Sequence, residues 1–350
     1  MVSIDNQKHF RKAAIFKILL TLDMIWSHAE NLAVYTLDRS QGFAAALIIF
    51  LDKVQLTSVG LINAGFFFIS GFSFFSGFTM DKLPRKWKNR FHTLLIPWLI
   101  WNTVMWLSFI LMGKIPAIAS RMNMATVYAP TFRSWFVDGL LHSANGPMWF
   151  MLNLLIAVAL APVIYCFIKN RIMGLIYIAC LIIARYFIQY DFNSAFASVI
   201  YFSEAGYIAL HMRSFWLRSF TKREKYIAGA VALAFYIVFY GIPCTAGTII
   251  HVLVLSVVIP ALWVLVPDRE LLPLEKSFDT YRFWIYASHY LLLEAIEKLW
   301  LIFAGDTPVA ALIDYLFAPV ITMAILIAGG YVVRKYLPRI WGVLNGIIPN

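Results

Sequence analysis

The sequence predicts an all-α fold: a polytopic membrane protein of about ten transmembrane helices with both termini cytoplasmic. Three observations lead there. Of the 350 residues, 61% are hydrophobic and only 13% charged, whereas a soluble domain is roughly half apolar. Apolar runs of about 18–25 residues, the length a hydrocarbon core requires, recur along the whole chain. The basic residues alternate between the segments that join those runs, as the positive-inside bias demands. The formal charge of +11 then belongs to cytoplasmic loops. A lipid bilayer is the expected partner, and nucleic acid is not.

In chain order the runs cover residues 13–35, 58–80, 92–113, 147–168, 172–189, 195–212, 225–242, 246–266, 280–302 and 309–333. The first follows His9, Arg11 and Lys12. It is broken by polar residues and lacks a clean small-x-small cleavage site, so it reads as a retained span and not a signal peptide. The segment 42–57, "GFAAALIIFLDKVQLT", is too short and too interrupted for a span and is expected to lie at the interface or re-enter. With the N-terminus inside, the inner segments hold 21 of the 29 Lys and Arg residues. Six (Arg39, Lys53, Lys114, Arg121, Arg133 and Lys298) fall outside, and Arg185 and Arg282 lie within spans. The longest external connection, 114–146, mixes turn formers with aromatics in "APTFRSW" and "HSANGPMW", a length typical of functional loops. No repeat, low-complexity tract or soluble appendage interrupts the pattern, so residues 1–350 read as one integral membrane domain. Cys166, Cys180 and Cys244 form no CxxC or other ligand spacing, and no metal site is expected.

The first span carries the chemistry. Lys17 and His28 are 11 residues apart, nearly three turns, so they share a helix face at depths differing by about 16 Å. Thr21 and Met24 lie along the stripe between them. Asp23 and Glu30, seven apart, share a second face. Each mid-membrane charge costs roughly 2.5–3.5 kcal/mol on insertion scales, and such residues face a bundle interior or a wet cavity. Plainer readings stand beside this. Lys17 could snorkel to headgroups, His28 could be a structural histidine, and Asp23 could pair with Arg282 for packing. In the ninth span Arg282, Tyr286 and His289 share a face and would line the same cavity or hold two helices together. Arg185 and Glu204 are expected to pair across neighbouring helices, and His251 to be structural. The runs Phe66–Phe68, Phe72, Phe74 and Phe75 would face lipid or pack, and Trp149 would join the interfacial belt. Lys82, Arg85, Lys86, Lys88 and Arg90 suit phosphate groups at the inner face, although positive-inside bias alone would collect them.

Lys17-x10-His28 resembles the Arg/Lys-x10-His signature in the first helix of the membrane acyltransferase 3 family. "GFFFISGF" (65–72), "RFHTLLIPWLIW" (90–101), "GPMWFMLNLL" (146–155) and "SFDTYRFWIYASHYLL" (277–292) are similar, in order, to that family's aromatic second helix, its basic approach to the third, its Pro-Leu-Trp-Phe-Leu segment and its late Tyr-x-x-His helix. Leu152 and Asn153 stand where many relatives carry Arg and Asp. The resemblance implies an integral O-acyltransferase of surface polysaccharides in the bacterial inner membrane. It would move an acyl group, usually acetyl, from cytoplasmic acyl-CoA to a hydroxyl of a cell-surface or lipid-linked glycan, with acyl-CoA as donor substrate and no tightly bound cofactor. On that reading His28 is a general base or forms an acyl-histidine and His289 is a hydrogen-bonding or oxyanion partner; Asp23, which is not part of the signature, or Glu30 would orient the ring or modulate its pKa from another face of the helix. Lys17, Arg85, Lys86, Lys88 and Arg90 would hold the donor, and Trp149, Arg282 and Tyr286 would line the cavity or the acceptor's place. The rival reading is a transporter or exporter of a glycan, lipid or metabolite, since buried charges also mark transport paths. No inverted repeat supports it.

Overall fold

A computed structural model describes residues 4–29, 34–116, 128–187, 193–242 and 249–347. Glu30, Cys244 and part of the predicted 114–146 connection lie outside the described residues. Among those described, every regular element is helical. Apart from a few helical turns and short pieces, they are, in order, α1 (Ile4–Ser27), α2 (Phe43–Phe75), α3 (Met80–Gly113), α4 (Trp149–Ala159), α5 (Ala161–Ile168), α6 (Arg171–Phe187) and α7 (Asn193–His211). Then come α8 (Lys222–Val238), α9 (Ile249–Leu265), α10 (Pro273–Ala304), α11 (Pro308–Tyr336) and the short α12 (Pro338–Leu344).

Each predicted apolar run falls largely on a helix. Among the described residues, α2, α3 and α11 are long and apolar enough by themselves to cross a membrane, and the bent pair α4–α5 qualifies as a fourth. Five of the others fail for visible reasons. α6, α8 and α9 have 17 residues each, and charged residues interrupt α1 and α10.

One expectation about segments is corrected. Residues 43–57 are not a separate, interrupted segment and do not re-enter; they continue without a break into the second run as one helix of 33 residues. The polar residues that seemed to interrupt this stretch have partners. Gln55 Nε2 donates to the Asp23 carboxylate at 2.7 Å, and Thr57 Oγ1 donates to the Lys53 carbonyl at 2.7 Å.

Two departures from regular helix geometry each fall just before a proline. α3 contains a π-helical turn over Phe91–Leu95, where the missing N–H of Pro97 disturbs the ladder. α4 and α5 meet at 56°, with Pro162 at the second position of α5. The Val158 carbonyl, four residues ahead of that proline, instead accepts the indole N–H of Trp87 at 3.0 Å.

The bundle closes around the α2–α7 contact. Gly71 packs so tightly that a Cβ there would sit 2.4 Å from the Phe202 carbonyl oxygen, and one at Gly206 would meet the Phe75 ring at 2.5 Å. Close approach through small residues is the usual way helices associate in lipid. Around it Phe67, Phe68, Phe72, Phe74 and Phe75 are buried with Phe202, Trp216 and Trp263. Of the two readings given for the phenylalanine runs, packing holds and lipid exposure does not.

Candidate active site

α1 builds one wall of the site. Lys17, Thr21, Met24, Ser27 and His28 all line a single cavity of about 250 Å³. Their spacing of four, three, three and one is a helical stripe. The helix itself ends at Ser27. His28 and Ala29 follow in a tightened turn, their N–H groups bonding to the carbonyls of Ile25 at 3.3 Å and Trp26 at 3.1 Å. This last turn carries the His28 ring on along the stripe.

The other walls come from four elements. α2 contributes Val59, Ile62, Asn63, Phe66 and Ser70; α3 contributes Arg90 and Leu94; α10 contributes Arg282, Phe283 and Tyr286. The turn before α4 and α4 itself supply Pro147, Trp149, Phe150, Met151 and Leu154. That turn is clamped from two sides. Tyr286 donates its hydroxyl to the Pro147 carbonyl at 2.6 Å, Asn145 Nδ2 donates to the Ala287 carbonyl at 2.7 Å, and the Asn145 N–H reaches Asn102 Oδ1 at 3.2 Å.

The charges in the cavity do not balance. Lys17, Arg90 and Arg282 are all in its lining. Arg282 Nε donates to Asp279 at 2.8 Å, and among the described residues no carboxylate forms a salt bridge with Lys17 or Arg90. An enclosed excess of cations beside helical walls attracts an anion.

His289 stands behind His28. It is fully buried, and its ring centroid is 5.2 Å from that of His28 with the planes at 47°. The Tyr290 ring meets His28 edge-on at 5.4 Å. His289 Nδ1 lies 2.9 Å from the Tyr286 carbonyl and 3.2 Å from that of Ile285.

The remaining predicted residues lie elsewhere. Asp23 is on the face of α1 turned toward α2, where its carboxylate accepts from Gln55 and from Ser58 at 3.0 Å. It does not meet Arg282, whose carboxylate partner is Asp279. Arg85 and Lys88 are exposed and outside the cavity lining. Lys86 folds back to bond the Phe74 carbonyl, with its ammonium over the Phe74 and Phe78 rings. Glu204 is bonded by Ser256 Oγ at 2.7 Å, not by Arg185. Asn63 and Ser70 were missed in the sequence. Their signal was there: with Val59, Ile62 and Phe66 they form a stripe of helical period on α2.

Long apolar helices enclosing a cavity with cations at one end and an imidazole at the other define a helical membrane protein with a charged internal cavity. The family model described as an acyltransferase domain matches residues 14–334. The chain belongs to this acyltransferase 3 family and is a membrane acyltransferase. No curated protein and no solved structure matches it.

Proposed function

We propose that the protein spans the bacterial inner membrane ten times, with both termini cytoplasmic, and transfers an acetyl group from cytoplasmic acetyl-CoA to a hydroxyl of a cell-surface or lipid-linked glycan. The observation that carries this reading is the single cavity joining Lys17, Arg90 and Arg282 to His28. Coenzyme A is a polyanion on a long flexible arm. Its phosphates suit three cations, the two guanidiniums offering forked donors and the ammonium a point charge. The arm then follows the α1 stripe past Thr21 and Met24 and presents its thioester at the imidazole.

The reaction follows from what the imidazole can do. A free ring nitrogen of His28 takes the proton of the attacking hydroxyl while the oxygen bonds to the thioester carbonyl carbon. The C–S bond then breaks, and the same nitrogen returns the proton to the leaving sulfur. Holding both substrates in one enclosed volume supplies much of the acceleration, because the bimolecular encounter has already been made. Trp149, on the cavity wall, offers a flat apolar face to a sugar ring. Asp23, held against α2, takes no part in this chemistry.

The test uses inside-out vesicles supplied with labelled acetyl-CoA. Label should enter an endogenous glycan, and His28→Ala should abolish this while leaving insertion and amount unchanged. Near-normal transfer by that variant would remove His28 from the mechanism. Movement of an unmodified solute with no acyl transfer would establish the transporter reading instead.

A further inference from the structure

The buried ring of His289 has one nitrogen accounted for and one not. A carbonyl oxygen only accepts hydrogen bonds, so Nδ1, within reach of the Tyr286 and Ile285 carbonyls, must carry the proton. In a neutral ring that leaves Nε2 with a lone pair and no hydrogen. Nε2 is buried and has no hydrogen-bond partner, although His289 is fully enclosed and an unpaired buried acceptor costs about 1–3 kcal/mol. The ring of His28 has its centroid 5.2 Å away and itself lines the cavity.

We propose that His289 is a positioning residue for His28: its Nε2 accepts a hydrogen bond from the His28 ring N–H, directly after a small ring rotation or through one water. This inference rests on the acyl-transfer reading for its consequence. The bond keeps one His28 nitrogen protonated and turned away from the cavity, and so keeps the other unprotonated and facing the hydroxyl. When His28 takes the substrate proton, the imidazolium holds its second N–H against the His289 lone pair; when the proton passes to the leaving thiolate, His28 returns to the same tautomer. His289 neither gains nor loses a proton in the cycle. The same geometry removes it as an oxyanion donor, since its only N–H is committed to backbone carbonyls of its own helix.

The arrangement follows from local sequence. Position 289 lies three and four residues after Tyr286 and Ile285, so the ring folds back onto its own preceding turn. Tyr286, on the same turn, has its hydroxyl on Pro147. The tautomer of His289 is thus set by α10 alone, and that of His28 by His289.

Two measurements test this. The first compares His289→Leu with His289→Gln in vesicles with acetyl-CoA. The Leu variant should lose roughly 10–100-fold in kcat, the scale of a lost orienting contact, with the donor KM within about twofold. The Gln variant keeps a carbonyl acceptor and should recover most of that loss. Wild-type kcat in the Leu variant, or equal loss in both variants, overturns the proposal. The second measurement needs no turnover and, in its first arm, no variant of His289. Protein labelled with ¹⁵N-histidine in nanodiscs, with the His28 signals assigned by their disappearance in His28→Ala, should show two widely split ring nitrogens, the mark of a single neutral tautomer. Averaged shifts in the wild type reject the proposal even if His289→Leu does not fold. An absence of acyl transfer by the wild type rejects the enzyme reading, whereas the tautomer result stands or falls by itself.

Discussion

The hydroxyl of Tyr286 on α10 and the carbonyl of Pro147, just before α4, are 2.6 Å apart. This bond ties one wall of the cavity to the turn that carries Trp149. Proline fixes the backbone at this turn but leaves its carbonyl needing a donor. Tyr286→Phe removes that donor and leaves the carbonyl with the Trp149 N–H alone, at a cost of about 0.5–1.5 kcal/mol. The thermal midpoint in detergent should fall. In vesicles the KM for the acceptor should rise severalfold as Trp149 loses its support, while that for acetyl-CoA stays put. A change confined to the donor KM would place Tyr286 on the other substrate.

Gly71 and Gly229 separate tight packing from glycine's intrinsic helix cost. A Cβ at Gly71 meets the backbone of Phe202 at 2.4–3.0 Å, whereas one at Gly229 meets nothing within 4 Å. Backbone cannot move aside as a side chain can, so Gly71→Ala should destabilise by about 1–3 kcal/mol, the usual range for overpacking. Gly229→Ala should be neutral or stabilise by up to roughly 1 kcal/mol, since alanine loses less entropy in a helix. Paired thermal unfolding in one detergent checks both. Equal effects would mean that α2 and α7 are not in close contact.

Arg269 and Glu275 give the start of α10 a dependence on pH. Arg269 donates both terminal nitrogens to the carboxylate at 2.6 Å, and the Leu272 N–H donates to the same group at 2.8 Å. The guanidinium, and then the backbone N–H, hold the Glu275 carboxyl at about 2, down from an ordinary 4.5. A depressed folded value means that the contribution is complete above the unfolded value and disappears as pH falls from near 4.5 toward 2. The pair is partly exposed to solvent, so the effect is small. Glu275→Gln should lower the unfolding midpoint at pH 6, and the gap to wild type should shrink below pH 4.5 and close only near or below pH 2. A gap that is constant with pH would assign the effect to lost packing.

The readable part of the site was the part confined to one helix. Lys17, Thr21, Met24 and His28 share a stripe because 100° per residue fixes their directions whatever surrounds them, and the cavity lining contains all four. Contacts between helices were not readable. Asp23 was matched with Arg282 by charge alone, but its neighbours are Gln55 and Ser58 on α2. The same ignorance of partners made residues 42–57 look broken, since Gln55 is costly in lipid only until Asp23 is placed beside it. The basic segment 82–90 was visible as a cluster, yet only Arg90 reaches the cavity. Hydropathy and charge carry no information about which side of α3 faces inward, or about the π-turn that follows Arg90.

That last distinction gives a direct contrast between cations. Positive-inside bias and donor binding predict the same composition for residues 82–90, but only donor binding depends on which side chain reaches the cavity. Lys17 and Arg90 line it, and Lys88 is exposed outside it. A hydrogen bond to a charged group contributes about 1.5–3 kcal/mol, which is about ten- to a hundredfold in affinity. Lys17→Met and Arg90→Met should therefore raise the KM for acetyl-CoA by about tenfold or more. Lys88→Met should change it less than twofold, because an exposed cation at that distance is screened. Raising the salt should weaken donor binding in the wild type more than in either cavity variant, since each variant has one charge fewer to screen. Equal effects from all three substitutions would mean that the inner surface attracts the donor only diffusely and that the cavity cations serve another purpose.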